Sequence, residues 1–389
     1  MISITRDIGL VSFSGNPILL GVQSFNYLDG ESNPRLFYNM FCDIFLEDPE
    51  EDGEPIETIS IQPDSNGLGQ FDLSGTLEKY TKPTLPFPID ELTQAVKDAD
   101  AVVKFWITLY DGYGIPFVKQ EPYHTSDPYY AIAGGLSDDV LIDIEENTSN
   151  GYAFMVDNKF FLTSQPDNKK TFNNQIELLR FFNSSESQIT INLKVKEYLI
   201  DDSTDEQTLW SGNLDALSLY TFNVSPGIVF SLNEKTYKWE IWLANIEEVS
   251  NVMSYVKSDI LTGNPRQFFM QNSLGGFDSV ISTGKRILTT EGETQGGYIA
   301  KTGSVRKWLE PIQERRFSKN IYRGSLGYFT NNELDWLKEF FISESKFIVQ
   351  DGKLLEVTLR QNEFPGATDD PPGSIDIEAV IGSPFMFFF

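Results

Sequence analysis

Short runs of apolar residues, some alternating with polar ones and some unbroken, recur along the whole chain and are separated by clusters of Gly, Pro, Asn and Asp. Alternation puts successive side chains on opposite faces of a strand, and a short unbroken apolar run suits a strand covered on both faces. The pattern predicts strands at Ile18 to Val22, Phe37 to Leu46, Thr58 to Ile61 and Val102 to Tyr110, with another around Phe117. Farther along, Ile189 to Lys196 alternates strictly, as a half-buried strand does, and Leu217 to Val224, Ile228 to Leu232 and Tyr237 to Leu243 continue the theme. Gln175 to Phe182 fits either the helical or the strand period. Strands are also expected at Gln267 to Met270, Lys346 to Gln350 and Ile375 to Ile381.

Helical spacing is rarer. Leu92, Ala95, Val96 and Ala99 repeat behind Asp90 and predict a short helix over 90–99. Val249, Val252, Met253 and Val256 predict another over 246–256. A stronger signal lies at Thr330 and Glu333, which form a T-x-x-E capping box ahead of Leu334, Leu337 and Phe341. The Pro-rich stretch Pro83 to Pro88 reads as an extended crossing segment.

These elements imply a mainly β chain of tandem β-sandwich-like domains with a C-terminal mixed α+β domain: 1–127, 128–258 and 259–389, the last ending in an apolar tail. A length of 389 residues supports several cores, because single cores stop growing well before that size.

Charge narrows the function. Asp and Glu number 57 against 30 Lys and Arg, a net charge of -27 that repels phosphate backbones and anionic lipid. Aromatic residues make up 13% of so acidic a chain, more than one core needs and suited to a large permanent interface. The single cysteine, Cys42, excludes an internal disulfide and any Cys-based zinc site, and its alternating surroundings make it a strand residue. The first residues lack a secretory signal, no apolar run reaches the ~18 residues of a membrane span, and assembly in a bacterial host's cytoplasm is expected.

Candidate chemistry is sparse. One histidine, His124, in what reads as a connector, supports no catalytic triad or two-histidine metal motif. Paired carboxylates could run glycoside hydrolysis, but 57 acids make some such pair inevitable. The acidic stretches Asp48 to Glu54 and Asp201 to Glu206 lack EF-hand spacing and read as solvated hairpin tips rather than calcium sites. Glycines in Asn272 to Asp278 precede no phosphate-binding lysine and suit a positive-φ turn or close backbone packing. No cofactor is implied. The one basic concentration runs from Lys285-Arg286 through Arg306-Lys307 to Arg315-Arg316 and Arg323. It either meets acidic surfaces of a neighbouring copy or faces nucleic acid, and the repulsive total charge favours the first.

Several short motifs resemble landmarks of tail-associated structural proteins of bacteriophages that infect Bacteroidetes, the crAss-like phages among them. They are Ser12-Phe13-Ser14-Gly15-Asn16-Pro17-Ile18, Phe71-Asp72-Leu73-Ser74, Phe161-Leu162-Thr163-Ser164-Gln165-Pro166 and Asn272-Ser273-Leu274-Gly275-Gly276-Phe277-Asp278. The stretch from Tyr328 to Lys346 is similar to the strand, helix, strand ending of the same proteins. The resemblance implies a virion subunit of a tail ring, hub or baseplate. Such a subunit is repeated symmetrically around the channel through which DNA leaves, contacts other tail or portal-proximal proteins, and has no active site. An acidic surface fits that setting independently, because DNA passes it without specific binding. Expected contact residues are Arg315 and Arg316, with Phe385, Met386, Phe387, Phe388 and Phe389 of the apolar tail, which would aggregate if left exposed. The alternatives are a glycan-binding tail adhesin that stacks sugars on Trp and Tyr, and a carboxylate-based glycosidase.

Overall fold

A computed structural model describes residues 2–28, 34–51, 53–87, 94–147, 151–245, 249–258, 266–283, 286–300, 309–327, 329–350, 352–360 and 375–387. The chain is mainly β, with 52% of the described residues in strands against 9% in helices.

In the first unit, strands Ile2–Arg6, Leu19–Ser24 and Leu68–Asp72 make a small antiparallel sheet. A larger sheet is built on the 12-residue strand Val102–Tyr113, whose second half pairs antiparallel with Asn39–Phe45. Leu20, Val22 and Phe71 from the first sheet and Met40, Cys42, Ile44, Ile107 and Leu109 from the second share one core. Alternation in Asn39–Phe45 produces this directly, since Met40, Cys42 and Ile44 all point inward and are fully buried. Burial pushes the Cys42 thiol pKa up, with Asp43 adding to it, so Cys42 packs as a small hydrophobe. The acidic stretch after this strand connects it to Glu57–Ile61 as a hairpin tip.

The second unit sets a five-stranded sheet, with Ile189–Leu199 and Thr236–Ala244 at its centre, against the strands Leu178–Asn183 and Ser218–Asn223. The ambiguous segment is thus a strand, and Leu179 and Phe181 pack with Phe222, Leu193, Val195 and Trp239. In the third unit a seven-stranded sheet wraps the helix Asn331–Ile342, whose Leu334, Trp336, Leu337 and Phe340 enter the core. The expected capping box is present: the Thr330 hydroxyl accepts from the Glu333 amide while the Glu333 carboxylate accepts from the Thr330 amide.

Four expectations give way to tertiary pairing. The helix over 90–99 is not formed in its described part: Ala95–Lys97 is a strand that pairs antiparallel with Ser218–Asn223, and 90–93 lie outside the described residues. The helix over 246–256 is not formed in its described part, where Met253–Lys257 is a strand, and 246–248 lie outside the described residues. That strand hydrogen bonds to Thr236–Ala244 on one side and to Lys169–Thr171 on the other, satisfying more backbone groups than an isolated turn of helix could. Ile228 to Leu232 is mostly turn, with one bridge from Pro226 to Phe230. His124 lies in the strand His124–Thr125 against Leu109 and Thr108 rather than in a connector. Three further helices are not among those expected, Ser74–Leu77, Asp138–Asn147 and Gly151–Asp157.

Pairing also crosses the expected boundary at 127. Tyr129–Ile132 completes the first unit's larger sheet, antiparallel to Val102–Tyr113 and parallel to Val11–Phe13. Ala95–Lys97 goes the other way and extends a sheet of the second unit.

Candidate functional site

The motifs singled out above are far apart in the chain and meet at one place, the seam between the units. Gly15 donates its amide to the Gly134 carbonyl (2.8 Å), and Gly135 donates to Ser273 (2.7 Å). Asn16 holds Leu136 through both ends of its amide, accepting from the Leu136 nitrogen at 2.6 Å and donating to its carbonyl at 2.9 Å. Asn272 donates to the Leu162 carbonyl (3.0 Å) and accepts from the Gly276 amide (2.8 Å). Asp72 links the Phe71 to Ser74 motif to the first by accepting from the Ile18 amide (3.3 Å). From the helix Asn331–Ile342, Glu339 accepts from the Ser273 amide at 2.9 Å.

Glycine is required where these backbones cross. Gly134 (φ +105°) and Gly275 (φ +81°) face each other in the left-handed region, and a Cβ on Gly276 would lie 1.9 Å from the Leu162 carbonyl oxygen. Beside the crossing is an open cleft of about 480 Å³ with Ser14, Asn16, Gly135, Asn272 and Glu344 on its walls.

Arg180 sits at the centre. It is the lone cation of the strand Leu178–Asn183, and its side chain is 1% exposed. Nη2 donates to the Asp98 carboxylate and the Thr84 carbonyl, Nη1 to the Gly275 carbonyl (2.9 Å) and Nε to the Thr221 hydroxyl (3.1 Å). One guanidinium thus joins residues from all three units, and it stacks 4.7 Å from the Phe277 ring centre. Burial pushes its pKa down to about 10 and Asp98 pulls it back up, so it stays charged at neutral pH.

A second polar cluster lies next to it. Lys169 donates to Glu177 (2.9 Å), Gln165 (3.2 Å) and Ser279 (3.1 Å), using all three of its protons, and Glu177 also accepts from Ser279 at 2.7 Å. Asp278 is fully buried and accepts from the Thr163 hydroxyl (2.6 Å) and the Trp336 indole (2.9 Å). Burial raises its pKa to about 6, with Lys169, Thr163 and Trp336 pulling it down and Glu339 pushing it up. A general acid needs such a pKa, yet each oxygen of Asp278 already holds a protein donor, so the carboxyl braces the seam.

The folded chain therefore binds this proton more tightly than the unfolded chain. The stability that protonation adds is complete below the usual carboxylate range and is lost as pH rises through about 6. Asp278→Asn keeps the shape without the titration. Relative to the wild type, its urea-unfolding free energy should improve by about 2–3 kcal/mol between pH 4 and pH 8. A difference that stays constant with pH would mean that Asp278 does not titrate in the folded protein.

The residues expected at the interface lie elsewhere. Arg315 and Arg316 fall in the 19-residue strand Leu309–Gly327, paired along its length with Arg286–Ala300 and, from the other side, with Ile375–Phe387. Phe385, Met386 and Phe387 end that last strand, with Phe387 opposite Arg316. Phe388 and Phe389 lie outside the described residues. Arg323, from the same basic concentration, is engaged within its own sheet: it pairs with Glu378 (2.6 Å) and Glu291 (3.5 Å), which Arg360 also bridges. Among the described residues, no group of three or more metal-ligating side chains forms, in the acidic turns or elsewhere, and no helix is long and apolar enough to cross a membrane. Compared with known proteins, the sequence matches no family model and no curated relative.

Proposed function

We propose that this chain is a structural subunit of a bacteriophage tail that assembles with copies of itself into a ring around the DNA channel. The observation that carries the reading is the paired ribbon Arg286–Ala300 and Leu309–Gly327, backed by Ile375–Phe387. At about 3.3 Å per residue its 15-residue outer strand is roughly 50 Å long. That strand pairs on one side only among the described residues, so it offers a row of backbone donors and acceptors to a neighbouring strand. A seam closed by internal hydrogen bonds and ion pairs supports the same reading, since a ring subunit must hold its contact surfaces at fixed spacing. The net charge of -27 supports a channel-facing role, because a surface short of Lys and Arg displaces no counterions from the DNA and so does not hold it. Mass photometry of the purified chain, with negative-stain imaging of heavy species, tests the proposal. A closed ring of defined copy number is expected, weakened when residues 383–389 are removed. A monomer at every concentration, with saturable binding on a glycan array, would turn the reading toward an adhesin.

A further inference from the structure

The first unit carries a surface that the ring reading does not yet use. Eight of the 18 large hydrophobic side chains that are exposed among the described residues crowd one end of it: Phe25, Leu28, Leu36, Phe37, Ile115, Phe117, Val118 and Tyr123. They come from the described residues 25–28 and 34–37 between Leu19–Ser24 and Asn39–Phe45 and from the segment 115–123 that follows Val102–Tyr113. The two are joined where Gly114 donates to the Leu36 carbonyl (2.9 Å) and where the Phe117 and Phe41 rings meet at 5.9 Å. Exposures reach 67% for Leu36 and 74% for Ile115. With roughly 150–250 Å² on each aromatic side chain, the patch presents on the order of 600–800 Å² of apolar surface. A monomer rarely shows that much in one place, and it is close to the ~800 Å² that each partner buries in a stable protein interface.

The patch is built and held in shape. Arg35 donates from Nε to the Asn26 carbonyl (2.8 Å) and lies 4.5 Å over the Tyr113 ring. Asp111, fully buried below, accepts from Tyr38 (2.7 Å) and Tyr123 (3.2 Å). Phe37 is held at φ +55°, a left-handed conformation that costs a bulky residue energy, while the residue stays 63% exposed. Strained residues of this kind cluster at surfaces that bind something.

We infer that this patch is a subunit contact and that its occupant is a second copy of this chain. The inference rests on the ring reading and names a surface that would close it. Two chains of charge -27 repel each other wherever their acids meet, so copies join best where acids are withdrawn. Here Asp111 is buried and Asp43 is paired with Lys119 at 3.4 Å, which leaves Glu121, between Val118 and Tyr123, as an exposed acid at the rim. In a closed ring such a contact is heterologous, so the patch covers a different face of the next copy.

The test uses the full chain carrying Leu36→Asp and Ile115→Asp together, both at exposed positions. A control, Ile200→Asp with Ile228→Asp, puts the same two charges on exposed residues of the second unit. Expected are unchanged thermal unfolding in both, at least a tenfold rise in the concentration at which the patch variant assembles, and no change in the control. Wild-type rings matched by equal rings of the patch variant overturn the patch while leaving the ring reading intact. A monomeric wild type overturns both, and if that monomer sediments with phosphatidylcholine vesicles and the patch variant does not, the occupant is a bilayer.

Discussion

Replacing Arg180 with alanine should cost about 3–5 kcal/mol of folding stability, a large share of what an average domain has. The loss follows from what stays behind. Asp98 is 7% exposed and would be left buried without its cation, and the Thr84 and Gly275 carbonyls would each lose a donor. Arg180→Lys should recover little, because one ammonium cannot reproduce a planar fork that serves four acceptors in different directions. Removing both charges, with Arg180→Met and Asp98→Leu, should be milder than Arg180→Ala alone, since no buried charge is stranded. Urea unfolding ranks the three variants. Hydrogen exchange in the alanine variant should quicken first at Gly135 and Gly276, whose amides close the seam. A loss below about 1 kcal/mol for Arg180→Ala would mean that the glycine crossing and the Asp278 cluster hold the seam without it.

Much of the fold was legible because it rests on local pattern. The strict alternation of Ile189 to Lys196 became a strand with Ile191, Leu193 and Val195 inward, and Thr330 with Glu333 marked the start of the one helix that enters the third core. What misled was spacing shared by two periods. Met253 and Val256 lie on one face of a helix, but Met253 and Tyr255 also lie on one face of a strand, and the open edge of Thr236–Ala244 decided for the strand. Asp138–Asn147 escaped notice although Asp138 and Asp139 in its first turn favour a helix start and Val140, Leu141 and Ile144 recur at helical spacing.

The seam was legible only in pieces. Its motifs could be quoted one by one, but Gly15, Gly134 and Gly275 are separated by long stretches of sequence and nothing local says that they touch. Arg180 did leave a sign: a single charge inside Leu178-Leu179-Arg180-Phe181-Phe182 has no solvent to point to, and a buried arginine needs a carboxylate from elsewhere. The apolar patch on the first unit left none, because exposure of Phe25 or Phe37 depends on what fails to cover it.

Gly275→Ala is the sharpest probe of that seam. A Cβ there would lie 2.1 Å from the Ala133 carbonyl oxygen, and the obstacle is backbone, so no side chain can turn away. At φ +81° the alanine would also be strained before any clash. One of the two crossing segments must withdraw. That loosens the bond from Gly135 to Ser273 and the Arg180 contact to the Gly275 carbonyl together, for an expected loss of about 2–4 kcal/mol. Gly75→Ala is the fitting comparison. It lies in the short helix Ser74–Leu77 with nothing near its Cβ position, and it should be neutral or stabilising by up to about 1 kcal/mol. If the seam sets the spacing of contact surfaces, Gly275→Ala should also raise the concentration at which the chain assembles, under conditions where circular dichroism still reports intact sheets. Assembly unchanged beside a clear loss of stability would show that the units need not be locked together for copies to join.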